Sequence, residues 1–166
     1  TTVGTTFCFT LPFQRIVITP AQKIRPRLSG KVNWEGKTFL IAEDEEDNFR
    51  YLEVALSLFN ASLIWARDGR EALDIMSKVR QIDLVLMDIK MPVMDGYTAT
   101  REIRKINADV PIIAQTAYAM LGERETALQA GCNGYIAKPV NYNDLIDLID
   151  RFVSSELRST ASGVNS

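Results

Sequence analysis

The sequence predicts an α/β protein built on a doubly wound parallel sheet of five strands. From Lys37 onward, five short apolar runs alternate with five longer stretches whose apolar residues recur at helical spacing. An uninterrupted apolar run such as residues 84–87 is typical of a strand buried on both faces of a parallel sheet. Strands that alternate with helices are joined by right-handed crossovers in such folds. The order of elements therefore indicates one parallel sheet with helices on both faces.

Each element is predicted from its own pattern of apolar residues. The strands are predicted at residues 38–42, 62–66, 83–87, 110–115 and 134–137. The helices are predicted at residues 48–59, 70–79, 96–106, 121–130 and 142–156. Apolar residues at helical spacing define the buried face of the first helix (Phe49, Leu52, Leu56, Phe59) and of the last (Leu145, Leu148, Ile149, Phe152).

The segment before Lys37 has a different character. Residues 3–11 alternate between apolar and polar side chains, which is the period of a half-buried strand, and Pro12 ends that pattern. A second short run at residues 15–19 could also be extended, and the prolines that follow indicate a linker over residues 13–36. One or two strands cannot form a core by themselves. This segment therefore pairs with something outside the chain, adds to a sheet edge, or contacts another molecule.

Composition excludes several kinds of site. The chain is 46% hydrophobic and 24% charged, as in a globular domain, and it has no histidine. Ser-His triads, histidine bases and zinc sites are therefore excluded within these 166 residues. We interpret Cys8 and Cys132 as reduced thiols rather than a disulfide pair. Without an apolar run of about 20 residues or a signal-peptide pattern, we expect a cytoplasmic domain that makes no membrane contact.

Charge is distributed unevenly along the chain. Residues 1–36 carry five basic groups and one acidic group, whereas residues 37–158 carry fourteen basic and twenty acidic groups. The folded part is therefore acidic, and we expect no nucleic-acid binding by it. The basic segment before it could touch nucleic acid or lipid, but dispersed charges among prolines are more typical of a solvated linker.

Polar residues end four of the predicted strands. Glu43 and Asp44 follow the first, Asp88 the third, Thr116 the fourth and Lys138 the fifth. Because parallel strands share a direction, these side chains meet at one edge of the sheet. Clustered carboxylates repel unless a cation lies among them, and an all-oxygen cluster suits Mg²⁺. A carboxylate, a metal site, a hydroxyl and an ammonium together are suited to phosphoryl transfer.

Each of these residues also has an ordinary structural interpretation. Asp88 could simply begin a solvated loop, and the acidic run at residues 43–47 could favour the next helix's N-terminus. Thr116 could cap a helix, and Lys138 could belong to a plain loop before Pro139. Their joint occurrence at successive strand ends favours the site.

Residues 37–156 resemble a response-regulator receiver domain of two-component signalling. The motifs that carry the resemblance are Leu-Ile-Ala-Glu43-Asp44-Glu45, Leu-Val-Leu-Met-Asp88-Ile-Lys-Met-Pro-Val-Met-Asp-Gly96, Gln-Thr116-Ala-Tyr-Ala and Gly-Tyr135-Ile-Ala-Lys138-Pro139. The resemblance implies a flavodoxin-like receiver fold with strand order 2-1-3-4-5. The small, uncharged residues at the end of the sequence separately predict a C-terminal tail at residues 157–166.

The resemblance assigns a role to each site residue. It makes Asp88 the phosphoacceptor, with Glu43, Asp44, Asp88 and the backbone carbonyl of Lys90 around Mg²⁺. Lys138 is expected to contact the phosphoryl group, and the Lys138–Pro139 peptide bond is expected to be cis. Thr116 is expected to be the switch hydroxyl and Tyr135 the switch aromatic. Glu43 stands where the family often has Asp, and its longer side chain is expected to reach the metal through water.

A second, shorter resemblance concerns the N-terminus. Residues 4–12 look like the last strand of the ATP-binding domain of a sensor histidine kinase, which implies a kinase remnant at residues 1–12. The parent would then be a hybrid histidine kinase, which could be anchored in the inner membrane. This chain holds neither the nucleotide lid nor a phosphorylated histidine, so it is not an autokinase by itself, although a receiver assists its own phosphorylation and dephosphorylation.

The resulting hypothesis is a phosphorelay receiver. Its expected partners are a histidine kinase or a histidine phosphotransfer domain, and a second copy could bind through the face of the fourth helix, fifth strand and fifth helix. The alternatives are a stand-alone single-domain response regulator, a phosphorylation-independent interaction domain, and a phosphohydrolase with an Asp nucleophile. The last is disfavoured because such enzymes usually carry an acid two residues after the nucleophile, where this chain has Lys90.

Overall fold

A computed structural model describes residues 32–117 and 121–161 of the 166-residue chain. Within these ranges, strands and helices alternate in the predicted order. The strands are β1 (Thr38–Ala42), β2 (Ser62–Ala66), β3 (Leu84–Asp88), β4 (Ile112–Thr116) and β5 (Gly134–Ala137). The helices are α1 (Glu46–Ser57), α2 (Gly69–Lys78), α3 (Gly96–Ile106), α4 (Leu121–Ala130) and α5 (Tyr142–Ala161).

The five strands form one parallel sheet in the order β2-β1-β3-β4-β5. This is the order that the resemblance implied, so the predicted fold class is confirmed. The register pairs Ala42 with Met87, and Asp88 with Gln115. The carboxyl ends of these strands therefore lie together at one edge of the sheet.

The core lies on both faces of the sheet, as the uninterrupted apolar run of β3 predicts. Leu84 and Leu86 pack into the layer formed with α1 and α5, whereas Val85 and Met87 pack into the layer with α2, α3 and α4. Successive side chains of a strand point to opposite faces, so every residue of β3 is buried. Burial on both sides explains why this strand shows no polar alternation.

Several element bounds differ from the predictions. Helix α1 begins at Glu46 rather than residue 48, because Glu46 and Asp47 are favourable in a first helical turn. Helix α5 continues to Ala161 rather than residue 156, since no glycine or proline interrupts the sequence before Gly163. Strand β3 begins after Asp83, whose carboxylate accepts hydrogen bonds from the side chain of Lys37 and the backbone of Thr38.

The packed domain begins earlier than the predicted boundary at Lys37. Trp34, which the prediction placed in the linker, is buried; its backbone N–H donates to Phe59 and its ring packs on Phe39 and Phe59. A large aromatic side chain stabilises the layer in which it is buried. The predicted strand at residues 1–12 and the linker up to residue 31 lie outside the described residues.

Two further predictions concern membrane-spanning segments and the state of the two cysteines. No helix in residues 32–117 and 121–161 is long and apolar enough to cross a membrane. Cys132 is a buried free thiol whose pKa is raised by burial. Cys8 lies outside the described residues, so the interpretation of the two cysteines as separate thiols stays a prediction.

Candidate functional site

The predicted site residues of three strands lie together at the carboxyl edge of the sheet. Glu43 and Asp44 follow β1, Asp88 is the last residue of β3, and Lys138 follows β5. Glu43 is 0% exposed and Asp88 5%, whereas Asp44 is open to solvent. The site therefore consists of two buried carboxylates and one that is accessible.

Lys138 lies between the two buried carboxylates. Its Nζ donates to Oδ2 of Asp88 at 2.6 Å and to Oε2 of Glu43 at 2.7 Å. An ammonium group is a compact positive charge with three donors, so it can serve two acids at once. This pairing makes the burial of both carboxylates tolerable.

Burial and pairing shift the pKa values of these groups. Burial raises the pKa of the Glu43 carboxyl above its ordinary value, although the hydrogen bonds from Lys138 and Asn48 oppose the rise. Burial alone would lower the pKa of Lys138, but its hydrogen bonds to Asp88 and Glu43 outweigh that effect and raise it. Lys138 therefore stays charged between its two partners.

Asn48, in the first turns of α1, also belongs to the site. Its side-chain amide donates to Oε1 of Glu43 at 2.8 Å and to Glu45 at 3.1 Å. Together with Lys138, it holds both oxygens of the Glu43 carboxylate. Sequence reasoning missed Asn48, because a polar residue near a helix N-terminus gives no sign of which loop side chain it contacts.

The loop after β3 holds the other oxygen of Asp88. The backbone N–H of Lys90 donates to Asp88 Oδ1 at 3.1 Å. The loop is closed by Gly96, whose N–H donates to the Ile89 carbonyl at 3.0 Å. A Cβ at Gly96 would lie 2.1 Å from the Asp88 carbonyl oxygen, so only glycine permits this close approach. Asp88 is therefore fixed from both sides of its carboxylate.

The three carboxylates are placed as metal ligands would be. One oxygen each from Glu43, Asp44 and Asp88 lies within 4.8 Å of the others, and we call these residues the acidic cluster. A cavity of about 260 Å³ opens over the cluster, lined by Asp44, Glu45, Asn48, Asp88, Lys90, Ala117 and Lys138. Carboxylate and carbonyl oxygens beside open space suit Mg²⁺, which retains several of its waters when bound to protein. The residues present therefore fit the predicted metal.

A larger cavity, of about 430 Å³, lies beside the cleft over the acidic cluster. It is lined by Glu43, Asn48, Tyr51, Leu52, Gln115, Lys138, Pro139 and Val140, and Asp88 does not line it. The Lys138–Pro139 bond that borders it is cis, as predicted. The smaller cavity, over the acidic cluster, is the one that gives access to Asp88.

The two predicted switch residues lie on the α4 side of the sheet. Thr116, the last residue of β4, is buried, and its hydroxyl donates to a carboxylate oxygen of Glu123 in α4. Tyr135 is 36% exposed, and the guanidinium of Arg124 lies 5.6 Å from the centre of its ring. Sequence reasoning had no signal for either α4 partner.

Comparison with known proteins identifies relatives over this same region. The family model described as the response regulator receiver domain matches residues 39–150. Hybrid signal transduction histidine kinase I of Dictyostelium discoideum is 37% identical over 131 residues, which cover 74% of this chain and 8% of that protein. The polar-differentiation response regulator DivK of Brucella anthropi is 34% identical over 119 residues, covering 70% of this chain and 96% of DivK. The chain therefore spans a small part of one relative and nearly all of another.

Solved structures with the same fold include the receiver domain of a sensor histidine kinase and that of a response regulator. The receiver domain of sensor histidine kinase PA1611 from Pseudomonas aeruginosa PAO1, solved with a magnesium ion in its active-site cleft, is 40% identical. Its TM-score is 0.67, and the match covers 72% of this chain and 98% of that one. The receiver domain of Ssk1 from Saccharomyces cerevisiae, solved with the histidine phosphotransfer protein Ypd1, is 29% identical, with a TM-score of 0.70 and coverage of 74% and 92%.

Proposed function

Because the chain belongs to the response regulator receiver domain family and is a receiver of two-component signalling, we propose that Asp88 accepts a phosphoryl group from phosphohistidine. The observation that carries the proposal is the fixed carboxylate of Asp88. Lys90 N–H holds one oxygen and Lys138 Nζ the other, beneath an open cleft. A buried acid that is held at both oxygens and yet reachable is suited to nucleophilic attack.

We propose Mg²⁺ as the cofactor of this site. Asp44, Asp88 and the backbone carbonyl of Lys90 would hold it, while Glu43, already bonded to Asn48 and Lys138, would act through water. When bound, the ion would neutralise charge on the phosphoryl oxygens. The magnesium ion in the cleft of the PA1611 receiver supports this assignment.

The reaction proposed for the protein groups is an in-line displacement. A carboxylate oxygen of Asp88 forms a bond to phosphorus as the bond from phosphorus to the donor imidazole nitrogen breaks, which leaves an acyl phosphate and a free imidazole. Lys138 is placed to counter the new negative charge, because its Nζ already contacts the attacking carboxylate of Asp88.

Replacement of the nucleophile tests this proposal. Asp88→Asn should abolish incorporation of phosphate from acetyl phosphate and Mg²⁺, measured by intact-protein mass spectrometry. Asp95→Asn is the matched control, since Asp95 caps α3 and asparagine caps a helix equally well. Phosphorylation of Asp88→Asn at the rate of the natural sequence would contradict the proposal.

We propose that the phosphodonor docks on an exposed stripe of α1. Tyr51, Val54 and Leu58 lie at positions i, i+3 and i+7, so they share one face of the helix, and Val54 is 70% exposed. Tyr51 also lines the cavity beside Lys138, so the stripe reaches the rim of the site. The Ypd1–Ssk1 complex supports a histidine phosphotransfer domain as one class of donor.

The parent protein and its surroundings are further proposals. We propose a hybrid histidine kinase as the parent, supported by the kinase relatives, with a stand-alone regulator as the alternative supported by DivK. The proposed location is the cytoplasm, where a free thiol such as Cys132 stays reduced. A homodimer through α4, β5 and α5 is supported by the exposed side chains of Leu128 and Tyr135. Sedimentation with and without beryllofluoride would test it.

A further inference from the structure

The first turn of α4 contacts both predicted switch residues. Glu123 accepts the hydrogen bond of the Thr116 hydroxyl, and the next residue, Arg124, lies over the ring of Tyr135. Glu123 is half-buried, and its backbone carbonyl accepts from the Tyr97 hydroxyl at 3.5 Å. Two neighbouring residues of one helix therefore contact the side chains that a receiver switch would move.

The backbone of Thr116 is held independently of its hydroxyl. Its carbonyl accepts the N–H of Lys138 at 2.7 Å, and its register partner in the sheet is Ala137. Thr116 is the last residue of a fully buried strand. A change in hydrogen bonding by Thr116 therefore means rotation of the side chain rather than movement of the strand.

The hydroxyl of a threonine has a single proton to donate. An ionised carboxylate and a phosphoryl oxygen are both acceptors without a proton of their own. Thr116 cannot donate fully to Glu123 and to a phosphoryl group on Asp88 at the same time. The two bonds exclude each other, so the strength of one sets the free energy of forming the other.

We propose that Glu123 is a positioning residue, which holds the Thr116 hydroxyl on the α4 side and thereby opposes the phosphorylated state of the receiver. The inference rests on the proposed roles of Asp88 and Thr116. Phosphorylation must break the Thr116–Glu123 bond, and Glu123 thus limits how far an unphosphorylated chain adopts the activated arrangement.

The affinity for beryllofluoride, a mimic of the phosphoryl group, measures this competition. Glu123→Ala removes the acceptor and should tighten beryllofluoride binding in the presence of Mg²⁺ by about three- to tenfold, as expected for the net contribution of one typical hydrogen bond. Glu123→Gln retains an acceptor without the charge, so its affinity for beryllofluoride should lie between those of the natural sequence and Glu123→Ala. Glu125→Ala is the matched control, because it removes an exposed acid two residues along the same helix.

A double-mutant cycle separates this role from a general effect on folding. In a Thr116→Ala background, Glu123→Ala should leave the affinity for beryllofluoride unchanged, because the hydroxyl that it positions is gone. Thermal unfolding of all variants shows whether any change follows stability instead. A general structural role would shift affinity equally in both backgrounds.

The possible results discriminate between the inference and the proposed function. If Glu123→Ala binds beryllofluoride as the natural sequence does, or gains equally in the Thr116→Ala background, the inference is wrong and the proposed function stands. If the natural sequence binds no beryllofluoride although it is folded, the proposed function fails, and the inference fails with it.

Discussion

Lys138 is the residue on which the charge balance of the site depends. It is the partner of two buried acids, one directly after β1 and one at the end of β3, and its hydrogen bonds to them raise its own pKa. Removing one partner of a buried ion pair leaves the other charge uncompensated. Under the proposed function, the same ammonium would be a structural group before phosphorylation and a counter-charge afterwards.

Asp44 is the exposed member of the acidic cluster, so it tests the metal site with least risk to the fold. Asp44→Asn should weaken Mg²⁺ binding at least tenfold, roughly the smallest loss seen when metal-site groups are altered. Titration with Mg²⁺, followed by calorimetry or by NMR of the cluster's backbone amides, measures the affinity. Asp47→Asn is the matched control, because it removes a nearby acidic charge that is outside the cluster. This variant should bind Mg²⁺ almost as the natural sequence does.

At the residue scale, sequence predicted the ends of strands and missed their partners. Glu43, Asp44, Asp88 and Lys138 could be found because each follows an apolar run, which fixes its place in a parallel sheet. The contact of Asn48 with Glu43 could not, because it depends on side-chain geometry between separate elements.

At the element scale, Asp83 connects β1 and β3 at the amino ends of the strands, opposite the acidic cluster. Its carboxylate accepts from Lys37 Nζ at 2.9 Å and from Thr38 N–H at 2.8 Å, which joins the starts of β1 and β3. Asp83 is buried, and burial acts to raise the pKa of its carboxyl, but the hydrogen bonds from Lys37 and Thr38 outweigh it and lower that pKa. This contact fixes the relative register of the two strands that carry Glu43 and Asp88.

The lowered pKa of Asp83 predicts how stability depends on pH. Because the folded pKa lies below the unfolded value of about 3.9, the stabilisation is complete above that value and is lost as pH falls through the folded pKa. Asp83→Asn should lower the free energy of unfolding near neutral pH by ~1–3 kcal/mol and flatten its decline below about pH 4. Urea unfolding across this range checks both effects.

The control for this measurement is Asp74→Asn on α2, which neutralises an exposed acid. It should change the free energy of unfolding little. Parallel curves for Asp83→Asn and the natural sequence over the whole pH range would contradict the role given to Asp83.

At the element scale, sequence predicted the existence and kind of every described helix and strand, but not all their bounds. The prediction began β3 at Asp83, whereas the strand begins at Leu84. The side chain of Asp83 instead accepts a hydrogen bond from the backbone of Thr38, and a polar residue before an apolar run gives no sign of such a contact. Trp34 was placed in the linker because nothing local distinguishes a linker aromatic from one that packs on Phe39. In both places a contact distant in sequence decided the structure.

At the scale of the whole molecule, the acidic cluster lies at one end of the sheet, and the exposed apolar stripe of α1 begins at that same end. The parallel order of strands gathers the acidic cluster at the carboxyl edge, and the α1 stripe of Tyr51, Val54 and Leu58 begins beside it. A donor protein bound to the stripe would lie next to the cleft. Under these proposals, docking and chemistry would depend on different residues.

The stripe therefore predicts a selective defect. Val54→Glu should slow phosphotransfer from a phosphohistidine protein about tenfold or more, because it places a charge in an apolar contact. Phosphorylation by acetyl phosphate, which needs no docking surface, should be unchanged. Ile106→Glu introduces the same charge at an exposed apolar residue at the end of α3 and should affect neither reaction. Equal slowing of both reactions by Val54→Glu would argue against a docking role.

The central claim is that the phosphoryl group resides on Asp88, and mapping it in the natural sequence tests that claim most directly. After reaction with acetyl phosphate and Mg²⁺, borohydride reduction converts an acyl phosphate into a stable alcohol, and trypsin releases residues 81–90, which contain Asp83 and Asp88. Fragmentation of this peptide should place the reduced residue at Asp88, and pretreatment with hydroxylamine should remove it. Reduction found at Asp83, at Asp44 or in another peptide, with Asp88 unmodified, would contradict the account.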